Sequence, residues 1–332
     1  MTNDRKKDHI ELALKSQTKN PDKRFQYEPL FSPHPLALKS DIAESFDFLG
    51  SSFKQPLWVS SMTGGTEMAY TLNKNLATIA GEFGFGMGLG SCRSLLDSDK
   101  RIEDFDFKEK LGDYPFYINL GVAQLEELVL KKQVQKIDGL INKLNADGMI
   151  IHVNPMQEWF QPEGDRYLVS PLETIKSIVS SVETNIIVKE VGQGFGPKSL
   201  KSLMALPIRA IELSGFGGTN FSSLEVSRHN AQFFGNDSST NRLVHMGHSA
   251  SEMIHWINDL LISDDEVKCR EFIISGGVKC LVDGLALQKD LKASSIIGMA
   301  SGLLEFAHDL NLLRDFVQSE IENYRFAKAF LV

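Results

Sequence analysis

Residues 148–161, "GMIIHVNPMQEWFQ", begin as a buried strand and end as something else. Ile150, Ile151 and Val153 are apolar and β-branched, and the run before Pro155 is too short for a helix. Proline disfavours the helical region for the residue preceding it, so the strand gives way at Asn154. At that exit an imidazole (His152), two amides (Asn154, Gln157) and a carboxylate (Glu158) arrive together. The carboxyl end of an apolar strand is where many α/β enzymes keep their chemistry.

Similar runs flank this one on both sides. "LWVSS" (57–61), "FGFGMGLG" (83–90) and "FYINLG" (116–121) precede it. "NIIVKEVG" (185–192), "IRAIELSG" (208–215), "EFIISGG" (271–277) and "SSIIGMA" (294–300) follow. Each is largely apolar with a polar or glycine-rich exit, the pattern of a strand buried on both faces. The segments between them read as helices. "QLEELVLKKQVQKIDGLINKL" (124–144) has apolar residues at helical spacing, and "SPLETIKSIVSSV" (170–182) opens with a serine cap, proline in the first turn and Glu173 three residues on. This alternation predicts an α/β fold, a (β/α)8 TIM barrel, with an open doubly wound sheet as the alternative. The interval after the sixth strand is longer than the rest, and its "FGNDSSTNRLVHMGHS" (234–249) predicts an inserted loop. Residues 1–50, with the proline-rich "FSPHPLAL", predict an N-terminal extension packed over one barrel end, so that 1–332 form a single domain.

The composition narrows the class. The chain of 332 residues is 42% hydrophobic and 23% charged, ordinary for a globular protein. Its formal charge of −8 argues against a nucleic-acid partner, although "DRKKDH" (4–9) is a local basic patch able to meet phosphates. Cys92, Cys269 and Cys280 have no CxxC spacing, which suggests neither a disulfide framework nor a zinc site. The charged start lacks a signal-peptide core, and no apolar run approaches the ~18 residues of a membrane span. A cytoplasmic protein without a membrane partner is expected.

In a barrel the eight exits share one face, so their polar residues converge. Glycine-rich loops after strands seven and eight commonly offer backbone N–H groups to a phosphate, and here they present Gly276, Gly277, Ala300 and Ser301. "SGFGGT" after strand six adds Gly217, Gly218 and the Thr219 hydroxyl. Lys189 lies inside an apolar strand, where an ammonium is costly unless it meets an anion or an electron-rich ring. A flavin's pyrimidine edge satisfies that need, and so does an ion pair with Glu190. "SMTGG" (61–65) and Asn119 supply groups able to line an isoalloxazine ring.

Taken in order, "RKKDHI", "SSMTGG", "GSCR", "NLGVAQL", "HVNPMQE", "KEVGQG", "GFGGTNF" and "SGGVK" resemble the motifs of type 2 isopentenyl diphosphate isomerases, over residues 5 to 300. The resemblance implies an FMN-binding barrel needing Mg2+ and reduced flavin, with NADPH as the flavin's reductant. It implies redox-neutral allylic isomerisation of isopentenyl diphosphate to dimethylallyl diphosphate, in isoprenoid biosynthesis, by a homo-oligomer (tetramer or octamer). Carried over by position, it puts Arg5, Lys6, His9, Arg93, His152 and Gln157 on the prenyl diphosphate. It puts Met62, Thr63, Gly64, Ser91, Asn119, Lys189, Ser214, Thr219, Gly276, Gly277, Lys279, Ala300 and Ser301 on FMN. Glu158 becomes the metal ligand, and Lys189, His152 and Gln157 the catalytic set.

The chemistry explains these residue types. A diphosphate calls for several cations and usually Mg2+, which takes one or two carboxylates plus phosphate oxygens. Beside Glu158, His152 reads as a donor to the diphosphate rather than a further metal ligand. Isomerising an isolated alkene requires protonating carbon, which no ordinary side chain does easily, and a reduced flavin can act as acid and base without net redox. Phe221 and Trp159 are expected to close part of a dry alkene pocket. The chain departs from the family pattern at Lys279 and Leu281, where an arginine and a glycine are usual, and around Ala286; a lysine keeps the charge but cannot bind phosphate bidentately. An FMN-dependent dehydrogenase or 2-hydroxy-acid oxidase shares the phosphate loops, yet needs neither "RKKDH" nor Glu158. A non-catalytic flavin sensor leaves the polar exits without purpose.

Overall fold

The structure, a computed structural model, describes residues 23–30, 44–61, 67–230 and 239–331. An antiparallel hairpin comes first, β1 (Phe46–Phe48) and β2 (Ser51–Phe53). Its two turn residues, Leu49 and Gly50, both have positive φ (53° and 77°), the backbone that suits tightly linked antiparallel strands. Eight parallel strands follow and close into a barrel: β3 (Leu57–Val59), β4 (Gly86–Gly88), β5 (Phe116–Gly121), β6 (Gly148–Val153), β7 (Asn185–Glu190), β8 (Ala210–Glu212), β9 (Glu271–Ile274) and β10 (Ser294–Met299). β10 pairs back with β3, which excludes the open sheet. All eight expected strands are present because each apolar run is buried inside and outside, between a packed barrel interior and a coat of helices.

The hairpin seals the end where the strands begin. Phe48 and Phe53 are fully buried with ring centroids 6.1 Å apart, and the Lys54 N–H donates to Gly84 O (2.8 Å), just before β4. Within the N-terminal extension the hairpin thus covers the entry end, whereas Arg24 pairs with Asp283 (2.7 Å) and lines a cavity with Gly217, Gly276 and Gly277 on the exit side. No helix among the described residues is long and apolar enough to cross a membrane.

Two local expectations change. The stretch 124–144 is two helices, Val122–Leu130 and Gln135–Lys143. Lys132 adopts φ 54°, and the N–H groups of Gln133 and Lys132 return to Leu128 O (2.8 Å) and Val129 O (3.1 Å), the paired bonds that terminate a helix. Of the expected loop 234–249, residues 234–238 lie outside the described residues and Ser239–Val244 is a helix, between the helices Phe221–Asn230 and Ala250–Ser263. Ser249 caps the last of these with Glu252 in a reciprocal box, as Ser170 does with Glu173 for Pro171–Ser181.

Register decides what meets at the exits. Gly121 on β5 pairs with His152 on β6, His152 with Lys189 on β7, and Lys189 with Glu212 on β8. Registered partners of a parallel sheet project to the same face, so the imidazole, the ammonium and the carboxylate form one layer inside the barrel mouth.

Candidate functional site

Two adjoining cavities open above this layer and share Ser61, Lys189, Val191 and Phe221 as a common wall. The first, about 470 Å³, is lined by Ser214, Thr219, Gly276, Gly277, Ala300 and Ser301 from the glycine loops, together with Ser60, Glu212 and Ser275. The second, about 460 Å³, is lined by Ser91, Asn119, His152 and Gln157. Eleven of the residues expected at the site thus lie around one connected space, with Lys189 between its halves and Phe221 facing both. Lys279 is exposed and lines neither cavity. Trp159 is 64% exposed under the Arg166 guanidinium, 5.1 Å from its ring, and walls neither cavity, contrary to the expected closure. Arg5, Lys6, His9, Met62, Thr63 and Gly64 lie outside the described residues.

Asn119 fixes the state of His152. The Asn119 amide Nδ2 donates to Leu89 O (3.0 Å), so its Oδ1 faces His152 Nδ1 at 2.7 Å and accepts that proton. Burial, reinforced by the Lys189 charge, pushes the imidazole down to about 3. His152 is thus neutral with Nε2 as an acceptor, and it serves as a phosphate donor only after taking up a proton.

Lys189 does not pair with the Glu190 carboxylate. Its Nζ donates to the Glu190 main-chain oxygen (2.7 Å). Glu190 Oε2 instead gathers the N–H groups of Val191, Gly192, Gln193 and Gly194 at 2.6–3.0 Å, which shapes the loop after β7. The buried ammonium stays aimed at the shared wall.

Behind the second cavity, Glu158 is held rigidly. Asn154 Nδ2 donates to its Oε1 (2.9 Å) and the Asp165 N–H to its Oε2 (2.7 Å). Asp165 also pairs with Arg93 (2.9 Å) and accepts from Gln124 Nε2 (3.0 Å), so one loop joins the expected metal carboxylate to the expected phosphate arginine. Gln157 is oriented by Asn154 at 3.1 Å and contacts the buried Glu225 at 3.5 Å.

The cavity walls fit FMN, while Glu158 lines neither cavity. For FMN, the glycine loops come so close that a Cβ at Gly218 would stand 2.9 Å from Gly277 N, and one at Gly276 would collide with Gly215. Gly276 and Gly277 both have positive φ, leaving bare main chain as the cavity wall. The buried hydroxyls of Ser60 and Ser61 line the same cavity without a hydrogen-bond partner. For Mg2+, no group of three metal-ligating side chains occurs among the described residues. A single carboxylate suits an ion that takes its remaining ligands from water and phosphate. Sequence reasoning passed over Glu212, Glu225 and Asp165. Glu212 alone carried a legible signal, a carboxylate amid the apolar "IRAIELSG".

No family model matches the chain. A protein of Rickettsia africae named isopentenyl-diphosphate delta-isomerase is 33% identical over 332 residues, covering 97% of this chain and 91% of its own length. One of the same name from Rickettsia typhi is 32% identical over 329 residues, covering 96% and 89%. Among solved structures, a mandelate oxidase complex superposes with TM-score 0.57 at 11% identity over 92% of this chain and 82% of the other, a likeness of fold.

Proposed function

The chain belongs to the isopentenyl-diphosphate delta-isomerase family, and from that premise we propose that it converts isopentenyl diphosphate to dimethylallyl diphosphate with reduced FMN in the barrel mouth, NADPH as the flavin's reductant and Mg2+ on the substrate. The observation that carries this reading is the layer of His152, Lys189 and Glu212 under two connected cavities, one walled by glycine loops and the other by amides and an imidazole. When bound, reduced flavin supplies the acid and base that exchange protons with carbon.

In this reading Lys189, fixed on Glu190 O, presents its charge to the electron-rich pyrimidine edge of the ring. Asn119 and Ser91 would hold the ring, and the loops at Gly218, Gly276, Gly277 and Ser301 would hold the phosphate. Gln157, pinned between Asn154 and Glu225, and the neutral His152 line the space for the alkene and the first phosphate oxygens. Phe221 excludes water from both cavities. Glu158 would hold Mg2+, which would supply positive charge against the diphosphate, and Arg93 would leave Asp165 to meet phosphate oxygens bidentately. Arg5, Lys6 and His9 complete the diphosphate's charge balance.

The absorption spectrum of the purified protein tests the cofactor half directly. A flavin spectrum, or its appearance on adding FMN, is expected. A colourless protein that takes up no FMN overturns the reading.

A further inference from the structure

Glu212 is the one fully buried carboxylate in the first cavity's lining, with 0% of its surface exposed. It comes from β8, in register with Lys189 on one side and Ile273 on the other. Its Oε1 accepts the Ser275 hydroxyl (3.1 Å), and Ser275 Oγ in turn accepts the Ser214 N–H (3.0 Å). This relay clamps the side chain in one orientation. Its Oε2 has no partner.

An unpartnered carboxylate oxygen at this depth is expensive, because desolvation is not repaid by any donor. Lys189, its neighbour in register, does not supply one: its Nζ donates to Glu190 O and makes no hydrogen bond to Glu212. The missing donor must therefore enter through the cavity. What it is follows from where Glu212 stands. It lines the cavity of the glycine loops and not the one lined by Asn119, His152 and Gln157. A flavin mononucleotide spanning the two passes its sugar-alcohol chain between phosphate and ring. That chain carries hydroxyl donors, and a carboxylate is the acceptor that binds them most strongly. Ser60 Oγ, on the same cavity and also without a partner, offers a second contact. Gly298 lines the same cavity, and a Cβ there would lie 2.7 Å from both Ile273 Cγ2 and Ser60 Oγ and 2.8 Å from Ser275 Cβ, so the wall beside Ser60 and Ser275 is packed too closely for any residue but glycine.

We infer that Glu212 is a cofactor-binding residue whose free oxygen accepts hydrogen bonds from the ribityl hydroxyls of FMN, held in place by Ser275. This rests on the FMN reading above. It assigns Glu212 to the linker of the cofactor and not to the ring or the phosphate.

The test compares three flavins on the full chain freed of cofactor, by quenching of flavin fluorescence. FMN has linker and phosphate, riboflavin has the linker alone, and lumiflavin keeps the ring but replaces the linker with a methyl group. For the parent chain, riboflavin binds more tightly than lumiflavin. Glu212→Gln weakens FMN and riboflavin by about tenfold each, equivalent to about 1.4 kcal/mol, and leaves lumiflavin within about twofold. Equal losses for all three place Glu212 on the ring and overturn the inference, as does no loss for any. A parent chain that binds none of the flavins sinks the FMN reading and the inference with it, an outcome separable from the others because it needs no variant. If Glu212→Gln is shown by circular dichroism not to fold, Glu212→Asp keeps the charge while withdrawing the oxygen. It is then expected to weaken riboflavin and FMN but spare lumiflavin, and an unselective loss overturns the inference.

Discussion

The entry end of the barrel closes on itself, with Phe48 against Phe53, Arg209 paired with Glu271 at 2.9 Å and Lys108 with Asp147 at 2.7 Å. The exit end instead leaves Lys189, Glu212 and His152 facing open cavities. One end closes on its own groups, and the other turns charged and polar groups toward open space, where a Glu212 oxygen and the Ser60 and Ser61 hydroxyls have no partner among the described residues. Stability and function are therefore separable along the barrel axis, and substitutions at the two ends should fail in different ways.

The sharpest contrast comes from truncating the entry end. Phe53→Ala empties a fully buried aromatic site and is expected to cost about 3–5 kcal/mol in urea unfolding. The folded fraction should keep its kcat/KM within about twofold. A large loss of kcat/KM at unchanged stability would erase the division between the ends.

Lys189→Met probes the opposite case. It removes the buried ammonium on the wall shared by both cavities, and kcat/KM should fall by about 10²–10³-fold, the usual scale for losing one preorganised charge-stabilising group. The melting temperature should hold or rise, because a buried unpaired charge is itself destabilising. A drop in stability matching that of Phe53→Ala would make Lys189 a structural residue.

Glu158→Gln keeps the amide-and-backbone cradle but loses the charge that Mg2+ needs. Activity at fixed Mg2+ should fall by about 10–100-fold, the scale found for perturbed metal sites, with partial recovery as Mg2+ is raised and FMN affinity unchanged. Identical magnesium titrations for variant and parent would remove Glu158 from the metal.

The smallest effect concerns pH. His152 is neutral in the folded protein down to about 3, whereas an unfolded chain protonates its imidazole near the ordinary value of about 6.5. The unfolded state therefore binds more protons between these limits, and stability declines as pH falls through that window. Between pH 6.5 and 5 the contribution is about 1–2 kcal/mol by linkage. His152→Asn should flatten the urea-unfolding profile over that range by this amount, and an equally steep profile in the variant would show the imidazole to be charged in the fold.

Much of the architecture is legible in the sequence. Every barrel strand was visible because β-branched apolar runs buried on both faces have no other comfortable conformation, and their exits converge by the geometry of a closed barrel. What escaped detection was information not local in the chain. Arg93 and Asp165 stand 72 residues apart, so their pairing has no sequence signature. Glu225 sits three residues before Arg228 on a helix and reads as a solvated ion pair until the fold buries it. The helix break at Lys132 places a lysine where glycine is usual, so the spacing runs on unbroken. Glu212 differs from these. It carries the same signal as Lys189, a charge within an apolar strand, two residues before the "SGFGGT" loop.

The central claim is that the exit end performs redox-neutral isomerisation with reduced FMN. It is tested most directly by following isopentenyl diphosphate by NMR in deuterated water with the protein, FMN, Mg2+ and a limiting amount of reductant. The account predicts many molecules of dimethylallyl diphosphate per molecule of reductant, with deuterium at the newly protonated carbon, and no turnover while the flavin stays oxidised. Consumption of one reductant for each product formed would contradict it and make the chain a flavin-dependent dehydrogenase.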